Sequence, residues 1–140
     1  MLTIIPQKTI DEIPINSSKI IAINNKPGIT NYNDSYKYLL SNDYKIESDN
    51  KEMGYILASK MDVGDTNVRL NIVCSDNQIL ITCEWKPGMN STLMASSFSG
   101  TNITSDWNNA KWTKQYDKPN IAFAKAAQFA EASSIQIIYK

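Results

Sequence analysis

The side chains that carry most protein chemistry at neutral pH are sparse in this sequence. Histidine is absent, which removes the commonest general base, the commonest zinc ligand and the Ser-His and Cys-His nucleophile pairs. The densest run of acids and amides is Asp49-Asn50-Lys51-Glu52-Met53-Gly54. A glycine five residues after an aspartate looks like part of a calcium loop. That loop also needs oxygen ligands at its third, fifth and twelfth positions, which here are Lys51, Met53 and Lys60. The run reads as the solvated bend of a hairpin, and no metal site is expected.

Paired carboxylates could act as acid and base in a sugar hydrolase. Glu47, Asp49, Glu52, Asp62, Asp65 and Glu84 are the candidates, but no spacing singles out two of them. No GxGxxG, P-loop or GxSxG motif is present, so nucleotide binding and α/β-hydrolase chemistry lack support. No catalytic residue and no cofactor are assigned. The cysteines, Cys74 and Cys83, flank a predicted hairpin turn. If Asp76-Asn77 form that turn, Cys74 faces Ile79 and Cys83 faces Leu70, four residues from Cys74 along the ladder. At about 3.3 Å per residue the two are roughly 13 Å apart, beyond disulfide reach. Both read as small buried hydrophobes.

The aromatic group Trp107, Trp112 and Tyr116, set among amides and lysines, is the candidate binding site. Rigid apolar faces with a polar tip suit sugars or protein partners. Against this stands the reading that one or two of the tryptophans close the end of the core under the last helix, which the sequence favours. Trp85, at a hairpin end on the apolar face, reads as core.

Composition narrows the partners. The 140 residues are 42% hydrophobic and 20% charged with zero formal net charge, ordinary for one folded domain. Arg69 is the single arginine, and the lysines are interleaved with acids and amides, so no basic stripe for nucleic acid is expected. No apolar run approaches the roughly 20 residues of a membrane span. Met1 begins either the native chain or one cut after a signal or lipoprotein leader, and both stay open. Four N-x-S/T sequons begin at Asn16, Asn33, Asn90 and Asn102; in so asparagine-rich a chain they argue weakly for glycosylation.

Elements must position these residues. Residues 1–17, broken by Pro6 and Pro14, suggest an extended arm or edge strand. Residues 19–24 form a short strand, and Tyr32, Ser35, Tyr36, Leu39 and Leu40 mark a helix over about 31–41, with Thr30 as its cap. Tyr44 and Ile46 alternate with Lys45 and Glu47 in a strand; residues 49–53 connect it to a second at 54–61. Two long strands follow around Asp76-Asn77, pairing Ile72 with Ile81 and Leu70 with Cys83 on an apolar face. Arg69, Asn71, Ser75, Gln78, Thr82 and Glu84 mostly occupy the other face, interrupted by Val73 and Leu80. A further strand is placed at 92–98. Pro119 opens a helix over 119–132 whose Ala122, Phe123, Ala126, Ala127, Phe129 and Ala130 share one arc. Ile135, Ile137 and Tyr139 alternate in a closing strand. The expected fold is a single α+β domain of two layers. Its antiparallel sheet has about five to seven strands and is covered on one face by two helices, in the order β-α-β-β-β-β-(β)-α-β.

The run through Tyr44, Ile46, Asp49, Gly54 and Ile56 gives helix, strand, acidic turn and glycine-led strand. In this it resembles small bacterial envelope proteins of unknown function with a TATA-binding-protein-like fold. More loosely, it resembles the helix-grip domains of outer-membrane-assembly lipoproteins. The resemblance spans residues 19–85 and leaves the tryptophan-rich stretch outside; no lipobox cysteine is present. It implies a periplasmic, outer-membrane-associated or secreted location and brings no catalytic residues with it. The leading expectation is therefore a non-enzymatic domain that binds a protein or glycan partner through the exposed sheet face or the tryptophan-rich loop. A cytosolic inhibitor or immunity-type binder comes second, and a carboxylate-based hydrolase third.

Overall fold

The computed structural model describes residues 13–88, 106–113 and 118–140. Among them the chain runs β1 (Lys19–Ile23), α1 (Gly28–Ser41), β2 (Lys45–Asn50), β3 (Tyr55–Lys60), β4 (Thr66–Ser75), β5 (Gln78–Pro87), β6 (Asn108–Asn109), α2 (Lys118–Ser133) and β7 (Gln136–Tyr139). Every pairing is antiparallel, and the strands lie in the order β2-β3-β4-β5-β1-β7. The short β6 joins β5 just beyond the end of β1. The fold is the expected α+β two-layer domain.

Period-two patterning decides which face is covered. In β4 and β5, Val68, Leu70, Ile72 and Cys74 are buried with Ile79, Ile81 and Cys83, while the residues between them are not. The hairpin has the register the turn implied: Cys74 opposes Ile79, Ile72 opposes Ile81 and Leu70 opposes Cys83. Ile20 and Ala22 of β1 and Ile56 and Ala58 of β3 extend the same inner face. The helices close it. On α2, Ala122, Ala126, Ala127 and Ala130 are fully buried beside Phe123 and Phe129. Small alanine side chains let the helix lie close to the sheet, and the phenylalanines fill the remaining space. The Phe129 ring meets Tyr38 of α1 edge-on at 5.2 Å, which joins the two helices.

Three local features differ from the sequence expectation. Helix α1 begins at Gly28, with Pro27 at its N-cap and no side-chain cap of its own. Its first amide, that of Gly28, instead donates to Asp76 Oδ1 at 2.7 Å, so the β4–β5 turn caps the helix from a distance. Thr30, the expected cap, lies inside the first turn. Next to this cap is a buried amide knot. Asn24 Nδ2 donates to Asn31 Oδ1 (2.7 Å) and to the Ser133 carbonyl (2.8 Å), and Asn31 Nδ2 donates to the Ser75 carbonyl (2.9 Å). It ties β1, α1, the β4–β5 turn and the end of α2 together.

The second difference is a bulge. Ile46 opposes Ala58, yet Ser48 opposes Leu57, so Glu47 is an extra residue in β2. One extra residue turns every later side chain to the other face. Asp49, expected in the outward-facing bend, is therefore a strand residue opposite Ile56 on the helix-covered side. The connection to β3 shrinks to 51–54 and ends at Gly54, whose φ of 72° and contact with the Cys74 carbonyl leave no room for a Cβ.

The third difference is β6, which arises in a stretch that reads as loop. The strand expected at 92–98 lies outside the described residues, as do residues 1–12 of the expected arm. Ile13 is buried, and Pro14 to Ser17 form a turn closed by the Ser17 amide and hydroxyl on the Pro14 carbonyl.

Candidate binding face

The sheet face opposite the helices carries the side chains that alternate with the core. Read across the strands, one row runs Ile138, Ile21, Leu80, Val73 and Tyr55, each the register partner of the next. Four of these five are half-buried and Val73 is exposed. Parallel to this apolar row lies a polar network. Arg69 and Glu84 oppose each other on β4 and β5 and form a two-pronged pair, Nε to Oε1 at 3.0 Å and Nη2 to Oε2 at 2.8 Å. Asn71 Nδ2 donates to the same Oε1 at 2.9 Å, and the Tyr55 hydroxyl donates to Asn71 Oδ1 at 3.3 Å.

The protonation states follow from this network. The bond to Glu84 holds the Arg69 guanidinium above its ordinary pKa, more than offsetting burial. Burial pushes the Glu84 carboxyl up, but the bonds from Arg69 and Asn71 outweigh it and hold the group below its usual value. Both therefore stay charged across the neutral range.

Trp107 completes the face. Its ring lies over the Arg69 guanidinium at 4.5 Å and the Lys86 ammonium at 4.7 Å. The β6 pairing of Asn109 with Glu84 and Asn108 with Trp85 places it there. Trp112 goes the other way. It is only 8% exposed, its ring is 5.9 Å from Phe123, and its backbone pairs with Asn16 and Ser17. The structure thus separates two residues that the sequence grouped together; Tyr116, the third, lies outside the described residues. Trp85 is partly buried against the core.

The separation was legible as a parity. In an extended segment successive side chains alternate, and 107 and 112 differ by an odd number. Ala110 and Trp112 are buried while Asn109 and Lys111 are exposed, which is strand alternation over the last four residues of WNNAKW. The surrounding polar residues hid it.

Elsewhere the chemistry is muted. Both cysteines are free and buried, and burial pushes the Cys83 thiol up to about 12 and raises Cys74 as well; neither is a ready nucleophile. Among the described residues no three of His, Cys, Asp and Glu converge on a metal position. One open cleft of about 370 Å³ is lined by Tyr32, Asn33, Tyr36, Lys37 and Asp49. It is a site the sequence reading missed, because the bulge that turns Asp49 toward Tyr32 leaves no mark in composition. Comparison of the chain with protein-family models, curated proteins and solved structures finds no match.

Proposed function

We propose that this protein is a non-enzymatic binding domain of the bacterial envelope or secreted space, and that it engages a protein or glycan partner through the open sheet face around Trp107. The observation that carries the reading is Trp107 lying over two cations on the same sheet face as a continuous apolar row. Binding hot spots are rich in tryptophan, tyrosine and arginine set in apolar surroundings, and Trp107, Tyr55 and Arg69 supply all three. The fixed Arg69–Glu84 pair adds directional donors and acceptors without a net charge. The envelope location rests on the resemblance over residues 19–85. Among the described residues no helix is long and apolar enough to cross a membrane.

A cytosolic inhibitor or immunity-type binder is the second reading, favoured by Cys74 and Cys83, both free, since disulfides mark oxidising compartments. It would use the same face. The test is affinity capture on the immobilised chain, from periplasmic and cytosolic fractions and on a glycan array, beside Trp107→Ala and the helix-face control Gln128→Ala. A bound species retained by Gln128→Ala and lost by Trp107→Ala supports the reading, and its source separates the two compartments. Retention of every bound species by Trp107→Ala would sink the proposed face.

A further inference from the structure

The cleft between α1 and β2 lies on the other side of the sheet from Trp107 and has a chemistry of its own. Its wall is aromatic. Tyr32 and Tyr36 sit one helical turn apart, with ring centroids 6.0 Å apart and planes inclined at 39°. Tyr32 is buried and Tyr36 half-buried, so part of that aromatic surface stays open to solvent. At its edge the Tyr32 hydroxyl donates to Asp49 Oδ2 at 2.7 Å. Burial, with help from Asp49, raises that hydroxyl to about 12, so it remains a donor and fixes the carboxylate. Asp49 makes no ion pair among the described residues, and its second oxygen is not engaged by any hydrogen bond there. Asn33 and Lys37, both exposed, complete the lining.

The balance of these groups selects a ligand class. One carboxylate and one ammonium line the same space, so neither a cation nor an anion meets a net opposite charge. What remains is a dense set of hydrogen-bonding groups around an aromatic surface. Asp49 accepts, Lys37 donates, and the Asn33 amide and the tyrosine hydroxyls do both. A pyranose ring has the matching form, with a face of C–H groups to lie on an aromatic ring and hydroxyls around its rim. The volume of about 370 Å³ is at the small end of ordinary ligand sites. We propose that the Tyr32–Tyr36–Asp49 cleft binds a neutral sugar unit, with Tyr36 as the stacking surface and Asp49 as the hydroxyl acceptor. This second site is independent of the Trp107 face.

The experiment is a titration of the whole chain, read in amide chemical shifts. Probes are glucose, galactose, N-acetylglucosamine and its β1,4-linked dimer, with choline as the cationic probe. At least one sugar should shift the amides of residues 32–37 and 49 saturably. Tyr36→Ala and Asp49→Asn should each weaken that binding by about tenfold or more, and Trp107→Ala should leave it unchanged. Asn33→Ala, at an exposed position that folding does not depend on, should weaken it by a smaller factor. The proposal is overturned if no sugar shifts these amides, or if choline shifts them and the sugars do not. It also fails if Asn33→Ala and Asp49→Asn, with native-like spectra, bind as tightly as the parent chain.

Discussion

Trp107 and Trp112 leave the same short segment toward opposite sides of the sheet. One lies on the open face over Arg69 and Lys86; the other packs against Phe123 inside the core. The two side chains are chemically identical and their sequence surroundings are similar. Backbone pairing makes the difference: β6 anchors residues 108 and 109 to β5, the Ala110 amide donates to the Cys83 carbonyl, and Trp112 then pairs with Ser17 and Asn16. Alternation along that extended path fixes which way each indole points. Tryptophan on the inside stabilises the fold through burial. On the outside Trp107 is half-buried and contributes less to folding, through partial burial and a cation–aromatic contact worth about 0.5–1 kcal/mol. A half-buried indole over two cations is the feature on which the proposed binding face rests.

The largest expected effect breaks this comparison on stability. Trp112→Ala should lower the unfolding free energy by about 3–5 kcal/mol, as large-to-small core changes do, whereas Trp107→Ala, at a half-buried position, should cost about 1–2 kcal/mol. Equilibrium urea unfolding of the two variants measures both, and comparable losses would erase the distinction. Next is the Cys83 thiol. Cys83 is buried on the helix-covered face that Trp112 also joins, so it should resist alkylation in the parent and in Trp107→Ala. It should react markedly faster in Trp112→Ala, with mass spectrometry locating the label.

How much of this was readable beforehand depended on the range of the interactions involved. The β4–β5 register and the alanine face of α2 follow from local periodicity, and both are present as read. The cap of α1 comes from Asp76, nearly fifty positions away, and no local pattern around Thr30 could report it. The bulge at Glu47 is set by how β2 meets β3, and it moved Asp49 from an apparent bend to the helix side. WNNAKW did carry a period-two signal, but asparagine and lysine are so depleted in ordinary strands that it read as loop. The open face itself was foreseeable, since Arg69, Asn71, Thr82 and Glu84 alternate with the core. Its use was not, because exposure names no partner.

Smaller effects test the electrostatics beneath Trp107 and the hydroxyls on the covered side. Glu84 has a lowered pKa in the fold, so its contribution is present above the ordinary glutamate value near 4.3 and fades as the pH falls below it. Glu84→Gln should therefore flatten the acid limb of the stability curve, by less than about 1 kcal/mol because the pair is partly solvated. At the other end, burial raises Tyr32 and Tyr139 to about 12. Both raised hydroxyls favour the fold below the free tyrosine value near 10, and that contribution is lost as the pH climbs through their folded values. Tyr32→Phe should blunt the alkaline loss, read from thermal unfolding across that range, while Trp107→Ala should not.

The central claim is that the open face around Trp107, and not the outer face of α2, meets the partner. Its most direct measurement is site-specific photo-crosslinking in the native cellular setting, with the reactive side chain placed at Val73 on the open face or at Gln128 on α2. The account predicts a discrete crosslinked species from Val73 that disappears when Trp107→Ala is added, and none from Gln128. Equal labelling from both positions, or a Val73 adduct that survives the loss of Trp107, would contradict it.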